Sequence, residues 1–299
     1  MVSVPTITTA EGERPAFLVT RPDSLRTPLV FCSPHSGRHY PLSFVEGSRL
    51  STDLIRRSED LFVDELYRFV GEIGAPMIAA SFPRAFLDVN REPYELDPQM
   101  FTGDLPEHAN TRSARVAGGL GVIPRIVAEN TEIYRERLTA AEGLARIETY
   151  HLSFHEALEG LIAETKRVHG MAILVDCHSM PSTVRPAQGG RRPDVIIGDR
   201  YGTSAAAGLV TLLTSAFSRQ GYGVARNKPY AGGYITERYG RPAIAEHALQ
   251  VELCRGLYAD ERSFTKSEGF DRLAADLRAV FVSLAEGVRQ YYSRAIAAE

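Results

Sequence analysis

The sequence predicts an α/β fold in three layers, with helices on both faces of a mixed, mostly parallel sheet. Three observations carry that expectation. Short apolar runs without polar alternation recur along the chain, as in strands buried on both faces. Amphipathic helical stretches separate them. Polar clusters fall at the ends of the apolar runs, where open α/β sheets bind ligands.

Taken in order, "PLVFCS" (Pro28–Ser33) reads as a buried strand ending at Pro34. Glu59–Gly74 repeats apolar residues at three- and four-residue spacing (Leu61, Val63, Leu66, Phe69, Val70, Ile73), which predicts a helix that Gly74 stops. "PMIAAS" (Pro76–Ser81) is a second strand and Met171–Cys177 a third. Between these two lies a long helical region over Thr139–His169. Asp194–Gly198, Gly223–Arg226 and Ala248–Cys254 are the fourth, fifth and sixth strands. A helix over Thr203–Gly221 joins the fourth and fifth, with Thr203 as its N-cap and Gly221 as its stop. Phe270–Ile296 is a terminal amphipathic helix. No domain boundary is evident, so residues 1–299 read as one catalytic domain. The loops Pro83–Val122 and Met180–Pro193 are long, and long loops on such domains are usually functional. The second contains "RPAQGGRRPD", whose glycines and three arginines allow closure over a substrate or a solvated loop.

Composition excludes several function classes. A hydrophobic share of 44% and a charged share of 24% are ordinary globular values, with enough apolar material for a sizeable core. A formal charge of −3 gives no footprint for nucleic acid or an anionic membrane surface. No apolar run is long enough to span a bilayer, and the N-terminus lacks a secretory pattern. Cys32, Cys177 and Cys254 are odd in number, without CxxC spacing, and sit in apolar runs. Buried free thiols in a reducing cytoplasm are the expectation.

Histidines mark the chemistry. "SPHSGRHYP" (Ser33–Pro41) places His35 on a turn straight after the first strand, as a metal ligand, a base or a surface-loop histidine; His39 lies further into the loop. "VDCHSM" (Val175–Met180) gives His178 the same position after another strand. Asp176, two residues earlier, lies on the same side of the strand and can hold the second ring nitrogen of a ligating imidazole. Two strand-end histidines coincide by chance less readily than one. "SED" (Ser58–Asp60) offers acids either for a helix dipole or for a two-histidine, one-carboxylate zinc set with an open fourth position. His151 and His155 are one helical turn apart, so they compete with His35 and His178, although such pairs are more often packed or hydrogen-bonded. In Arg84–Glu92, Asp88, Asn90 and Arg91 make either a carboxylate-binding loop or a salt-bridged one. "NKPYAGGYITERYG" (Asn227–Gly240) reads as a tyrosine-rich flap or a hairpin turn, with Gly232 and Gly233 allowing close approach of backbone to a ligand. Glu252 lies inside an apolar strand, which suits a general base. The chain has no GxSxG elbow, P-loop, GxGxxG or HExxH.

Together these blocks resemble the N-formylglutamate amidohydrolase family. The resembling segments are "SPHSG", "SEDLFVDELY", "LDVNREPYELDP", "YHLSFHEAL", "VDCHSMP", "NKPYAGGYITERYG" and "HALQVELCRGLY", in the family's order. The family looks related to the zinc carboxypeptidases and neighbouring acylases, through His35, Asn90–Arg91, Asp176–His178–Ser179 and Glu252. The carboxypeptidase His-x-x-Glu motif is broken here by Arg38, so the carboxylate ligand is expected from Asp60 or Glu59. The resemblance implies a zinc-carboxypeptidase-like fold and one Zn²⁺ per chain on His35, Asp60 and His178. It implies hydrolysis of a small, acidic N-formyl amino acid, N-formyl-L-glutamate, to formate and L-glutamate, closing one route of histidine breakdown. The alternative is a carboxypeptidase- or acylase-like zinc hydrolase of another N-acyl amino acid or small peptide. Glu252 is then the base, acting with His178 and Arg91. Asn90 and Arg91 clamp the α-carboxylate, and Ser179, Asn227, Gly232 and Gly233 line the substrate. Arg84, Arg112, Arg115, Arg185 and Arg241 compete for the side-chain carboxylate.

Overall fold

The computed structural model describes residues 4–127, 131–184 and 192–296, with side chains described as far as residue 290. Residues 185–191, Arg185 among them, are half of the loop Met180–Pro193 and lie outside the described residues. The chain forms two compact units. One comprises Met1–Leu18, Pro34–Asp60 and Ile78–Glu159; the other comprises Val19–Ser33, Leu61–Met77 and Gly160–Glu299.

Seven strands share one sheet: β1 (Phe17–Thr20), β2 (Leu29–Ser33), β3 (Met77–Ala80), β4 (Ala172–Met180), β5 (Val195–Gly198), β6 (Val224–Arg226) and β7 (Glu246–Cys254). Their hydrogen-bonded order is β6-β5-β7-β4-β2-β3-β1. β4 pairs in parallel with β2 and β7, β5 in parallel with β6, and β5 antiparallel with β7, so the sheet is mixed. Every residue of β2, β4 and β5 is buried, as unbroken apolar runs require. β1 was not expected from the sequence; its exposed Leu18 and Thr20 hide its apolar pattern.

Register decides which side chains share a face. Phe31 stands opposite Val175, and Cys32 opposite Asp176. The Phe31 ring packs 5.0 Å from Phe281 of helix α5 (Phe270–Ile296) and 5.7 Å from Tyr67. Phe281 in turn lies 6.3 Å from Phe217 of helix α4 (Ala207–Arg219). This aromatic layer covers the Phe31–Val175 face, and each such ring contributes about 1.5–3 kcal/mol by leaving water. Strand alternation sends Asp176 and His178 to the opposite face.

Four local expectations need correction. The strand expected at Met171–Cys177 runs to Met180, so His178 and Ser179 lie within it rather than beyond it. The helix expected at Glu59–Gly74 shrinks to α1 (Val63–Leu66) and a 3₁₀ turn at Arg68–Gly71. Phe62 enters α1 at φ 56°, a left-handed conformation that breaks the helix. Its apolar residues are buried all the same, because aromatic packing around Tyr67 outweighs helix periodicity. Glu59 and Asp60 therefore precede the helix, and its dipole does not account for them. The helix expected at Thr203–Gly221 begins at Ala207 without a side-chain cap, while Thr203 Oγ1 donates to Arg200 O at 2.9 Å. Finally, the helical region from Thr139 is interrupted. α2 (Ala140–Arg146) is capped by Thr139, whose side chain accepts from Glu142 N at 3.1 Å. A π-helical turn at Ile147–Leu152 then leads into α3 (Ser153–His169). Among the described residues no helix is long and apolar enough to cross a membrane.

Candidate metal centre and active site

The turn after β2 carries His35. Gly37 is required there: a Cβ would lie 2.1 Å from Phe82 O, and His39 N donates to Ser81 O at 2.9 Å. This close backbone contact holds the turn flat and aims His35 inward, with 2% of its surface exposed. Its Nε2 meets Asp88 Oδ1 at 2.7 Å, and its Nδ1 lies 3.6 Å from Asp60 Oδ2. Asp60 is fixed to the same turn, its N–H donating to His35 O at 3.0 Å.

Asp88 is the hub of the Arg84–Glu92 loop. It accepts from Asn90 N at 2.9 Å and Arg84 Nη2 at 2.7 Å, with Arg91 Nη2 at 3.8 Å. Burial opposes its ionisation, but Arg84, His35 and Arg91 outweigh burial and hold the carboxyl well below the usual carboxylate range. Arg91 also donates to Leu120 O at 3.0 Å and to Asn90 O at 2.9 Å. Its burial lowers its own pKa.

His151 and His155 support this loop from below. Their rings lie 4.4 Å apart, and their Nε2 atoms meet Arg91 O at 2.9 Å and Val89 O at 2.8 Å. The π turn rotates His151 into that position, and such turns often mark functional sites. Glu59, the rival of Asp60, is engaged elsewhere: Tyr40 Oη donates to its carboxylate and Arg56 Nε lies 3.4 Å away.

On β4, His178 Nε2 lies 3.0 Å from Asp176 Oδ1. On β7, Gln250 Nε2 donates to Glu252 Oε1 at 2.9 Å. His178 stands directly opposite Glu252 in the parallel register, and Asp176 opposite Gln250. All four are buried on the face turned away from the aromatic layer. Ser179 points to the other face, where it accepts from the buried Arg255 Nε at 3.0 Å. Asn227 spends its side-chain amide internally: Oδ1 accepts from Asp199 N at 2.9 Å and Nδ2 donates to Asp199 Oδ1 at 2.5 Å. Gly232 has φ +130°, and a Cβ there would meet Thr236 Oγ1 at 2.4 Å. Gly233 O accepts from Thr236 Oγ1 at 2.9 Å. Of the other arginines, Arg115 lies 3.7 Å from Glu95 and Arg241 Nε 2.8 Å from Glu246, while Arg112 is exposed.

Ligand atoms of His35, Asp60 and His178 all lie within 4.8 Å of one another, and all three residues are buried. Among the described residues this is the group that can hold a metal; neither Glu59 nor the His151–His155 pair belongs to it. The donor set suits a divalent ion such as zinc. It has two imidazoles and a carboxylate, with a second carboxylate 2.7 Å from His35 Nε2 and another 3.0 Å from His178 Nε2, and His35 Nδ1 faces Asp60. Asp88, Gln250, Asp199 and Arg255 were missed in these supporting roles. The signal for Gln250 was present: it precedes Glu252 by two residues, as Asp176 precedes His178.

The family model of the N-formylglutamate amidohydrolases matches residues 27–259. The chain is 29% identical over 245 residues to the N-formylglutamate deformylase of Pseudomonas aeruginosa, covering 80% of this chain and 84% of that one. It is 28% identical over 243 residues to the Pseudomonas putida deformylase, covering 79% and 83%. The crystal structure of N-formylglutamate amidohydrolase from Ralstonia eutropha JMP134 superposes with a TM-score of 0.86 at 34% identity, over 92% of this chain and 99% of that one. A gene product of Agrobacterium tumefaciens shares the fold at a TM-score of 0.68 and 17% identity, over 93% and 96%.

Proposed function

The chain belongs to the N-formylglutamate amidohydrolase family, and we propose that it hydrolyses the formamide of N-formyl-L-glutamate to formate and L-glutamate, acting as one catalytic domain in a reducing cytoplasm. We assign one zinc ion per chain to His35, Asp60 and His178. The observation that carries this reading is the register of β4 and β7, which sets Glu252 directly beside His178. A base and a metal ligand on adjacent strands are what an amide hydrolase of this class needs.

When bound, zinc supplies positive charge that polarises the formyl carbonyl and lowers the pKa of water. Glu252 accepts one proton of the attacking water and delivers it to the amine nitrogen as the C–N bond breaks; the products are formic acid and the neutral amine, and the acid proton passes to the amine to give formate and the ammonium of glutamate. Asp88 orients His35 through Nε2, and the carboxylate of Asp176 sets its charge 3.0 Å from Nε2 of His178. Arg84 and Arg91 share the single charge of Asp88, so the pair keeps a net positive charge for a substrate carboxylate. Arg91 and Asn90 take the α-carboxylate in this reading and Arg84 the side-chain carboxylate. Gly232 and Gly233 offer backbone to the substrate, whereas Ser179 faces Arg255 and Asn227 faces Asp199.

Formate release from N-formyl-L-glutamate, N-acetylaspartate and a glutamyl dipeptide, with elemental analysis of the purified protein, tests the reading. Preferred deformylation, about one zinc per chain and loss of activity in His178→Ala are expected. Cleavage of the other two without deformylation, or full activity without metal, overturns it.

A further inference from the structure

β4 and β7 carry the same two-residue spacing side by side. On β4, Asp176 lies two residues before His178 on the same face, its Oδ1 at ion-pair distance, 3.0 Å from His178 Nε2, outside hydrogen-bond geometry. On β7, Glu252 is held by Gln250, again two residues earlier, at 2.9 Å. The register places Asp176 opposite Gln250 and His178 opposite Glu252. The two neighbours differ in chemistry as their charges require. A carboxylate suits an imidazole, whereas a second carboxylate beside Glu252 would repel it, and a neutral amide donor does not. Gln250 is 5% exposed and Glu252 6%, so the bond forms away from bulk water, where such contacts are strong and their loss is costly.

We propose that Gln250 is a positioning residue for catalysis: its amide fixes Oε1 of Glu252 and sets the plane of the carboxylate that accepts the proton of the attacking water. A hydrogen bond donated to one carboxylate oxygen lowers the basicity of that oxygen and restricts rotation about the last side-chain bond. The carboxylate then meets water in one orientation, which reduces the ordering left to the transition state. Gln250 itself touches neither substrate nor metal in this scheme. The inference rests on the reading of Glu252 as the base.

The test uses the zinc-loaded full chain with N-formyl-L-glutamate as substrate. Gln250→Met keeps length and volume but removes the donor; kcat is expected to fall about tenfold, with KM and zinc affinity in a chelator competition changing less than about twofold. Gln250→Glu, the same shape with a repelling charge, is expected to fall further. Gln250→His, which keeps an N–H donor, is expected to recover part of the loss. Parental kcat in both Gln250→Met and Gln250→Glu overturns the inference. So does a Gln250→Met loss that appears equally in zinc affinity or KM, because that pattern belongs to a structural role. Glu252→Gln separates the two levels: an active Glu252→Gln removes the base on which the inference rests, whereas an inactive Glu252→Gln beside an unaffected Gln250→Met removes the inference alone.

Discussion

Asp88 shows how much a single buried carboxylate organises. It orients His35 and gathers Arg84 and Arg91 in one loop. Replacing it with asparagine keeps the shape but removes the charge, leaving two arginines without their shared anion. Zinc affinity of Asp88→Asn is expected to fall about 10- to 100-fold, measured by chelator competition, as for other partners of metal-bound histidines. An unchanged affinity would mean that Asp88 serves only the loop. At this scale the sequence was partly legible. His35, His178 and Glu252 stood out because polar residues in or beside apolar strands are conspicuous. Asp88 was legible as part of the Arg84–Glu92 loop but not as the partner of His35, because the two lie 53 positions apart in the chain.

The elements act through close backbone contact and strand parity. The His35 turn lies so near Ser81 and Phe82 that Gly37 has no space for a methyl group, the nearest atom being 2.1 Å from a built Cβ. Gly37→Ala must shift the turn, and zinc binding is expected to weaken at least about tenfold, the scale on which metal ligands respond to lost support. Gly47→Ala is the control, because a Cβ there meets nothing within 4 Å. Its melting temperature is expected to correspond to a change within about 0.5 kcal/mol. Equal behaviour of the two variants would detach the turn from the metal site. Element type was legible wherever apolar runs were long, as in β2, β4, α4 and α5. The helix expected from Glu59 was misread, because three- and four-residue spacing records which residues are buried and not the backbone that buries them.

For the whole molecule, pH acts through His247 as well as through the site. Burial depresses the pKa of this imidazole, and its Nδ1 faces the Ala206 N–H at 3.4 Å as an acceptor, a role only the neutral ring can fill. The unfolded chain keeps the ordinary imidazole value of about 6.5 and therefore binds more protons than the fold below that pH. Stability from this group is complete above about pH 6.5 and declines as pH falls from there toward the depressed value. His247→Gln is expected to flatten the loss of melting temperature between neutral pH and pH 5; an unaltered slope would assign that loss to other groups.

The sequence by itself determined the fold class and the family resemblance, and it named the candidate site residues, because burial patterns and strand ends are written locally in residue type. His35, Asp60, His178 and Glu252 were all named from it. Tertiary structure decided which of them meet. It separated Asp60 from Glu59 and set His151 and His155 on backbone carbonyls. It also carried His178 within β4 to stand opposite Glu252. The physical reason is that register and contacts between distant segments depend on how the whole chain packs, and no local pattern encodes that.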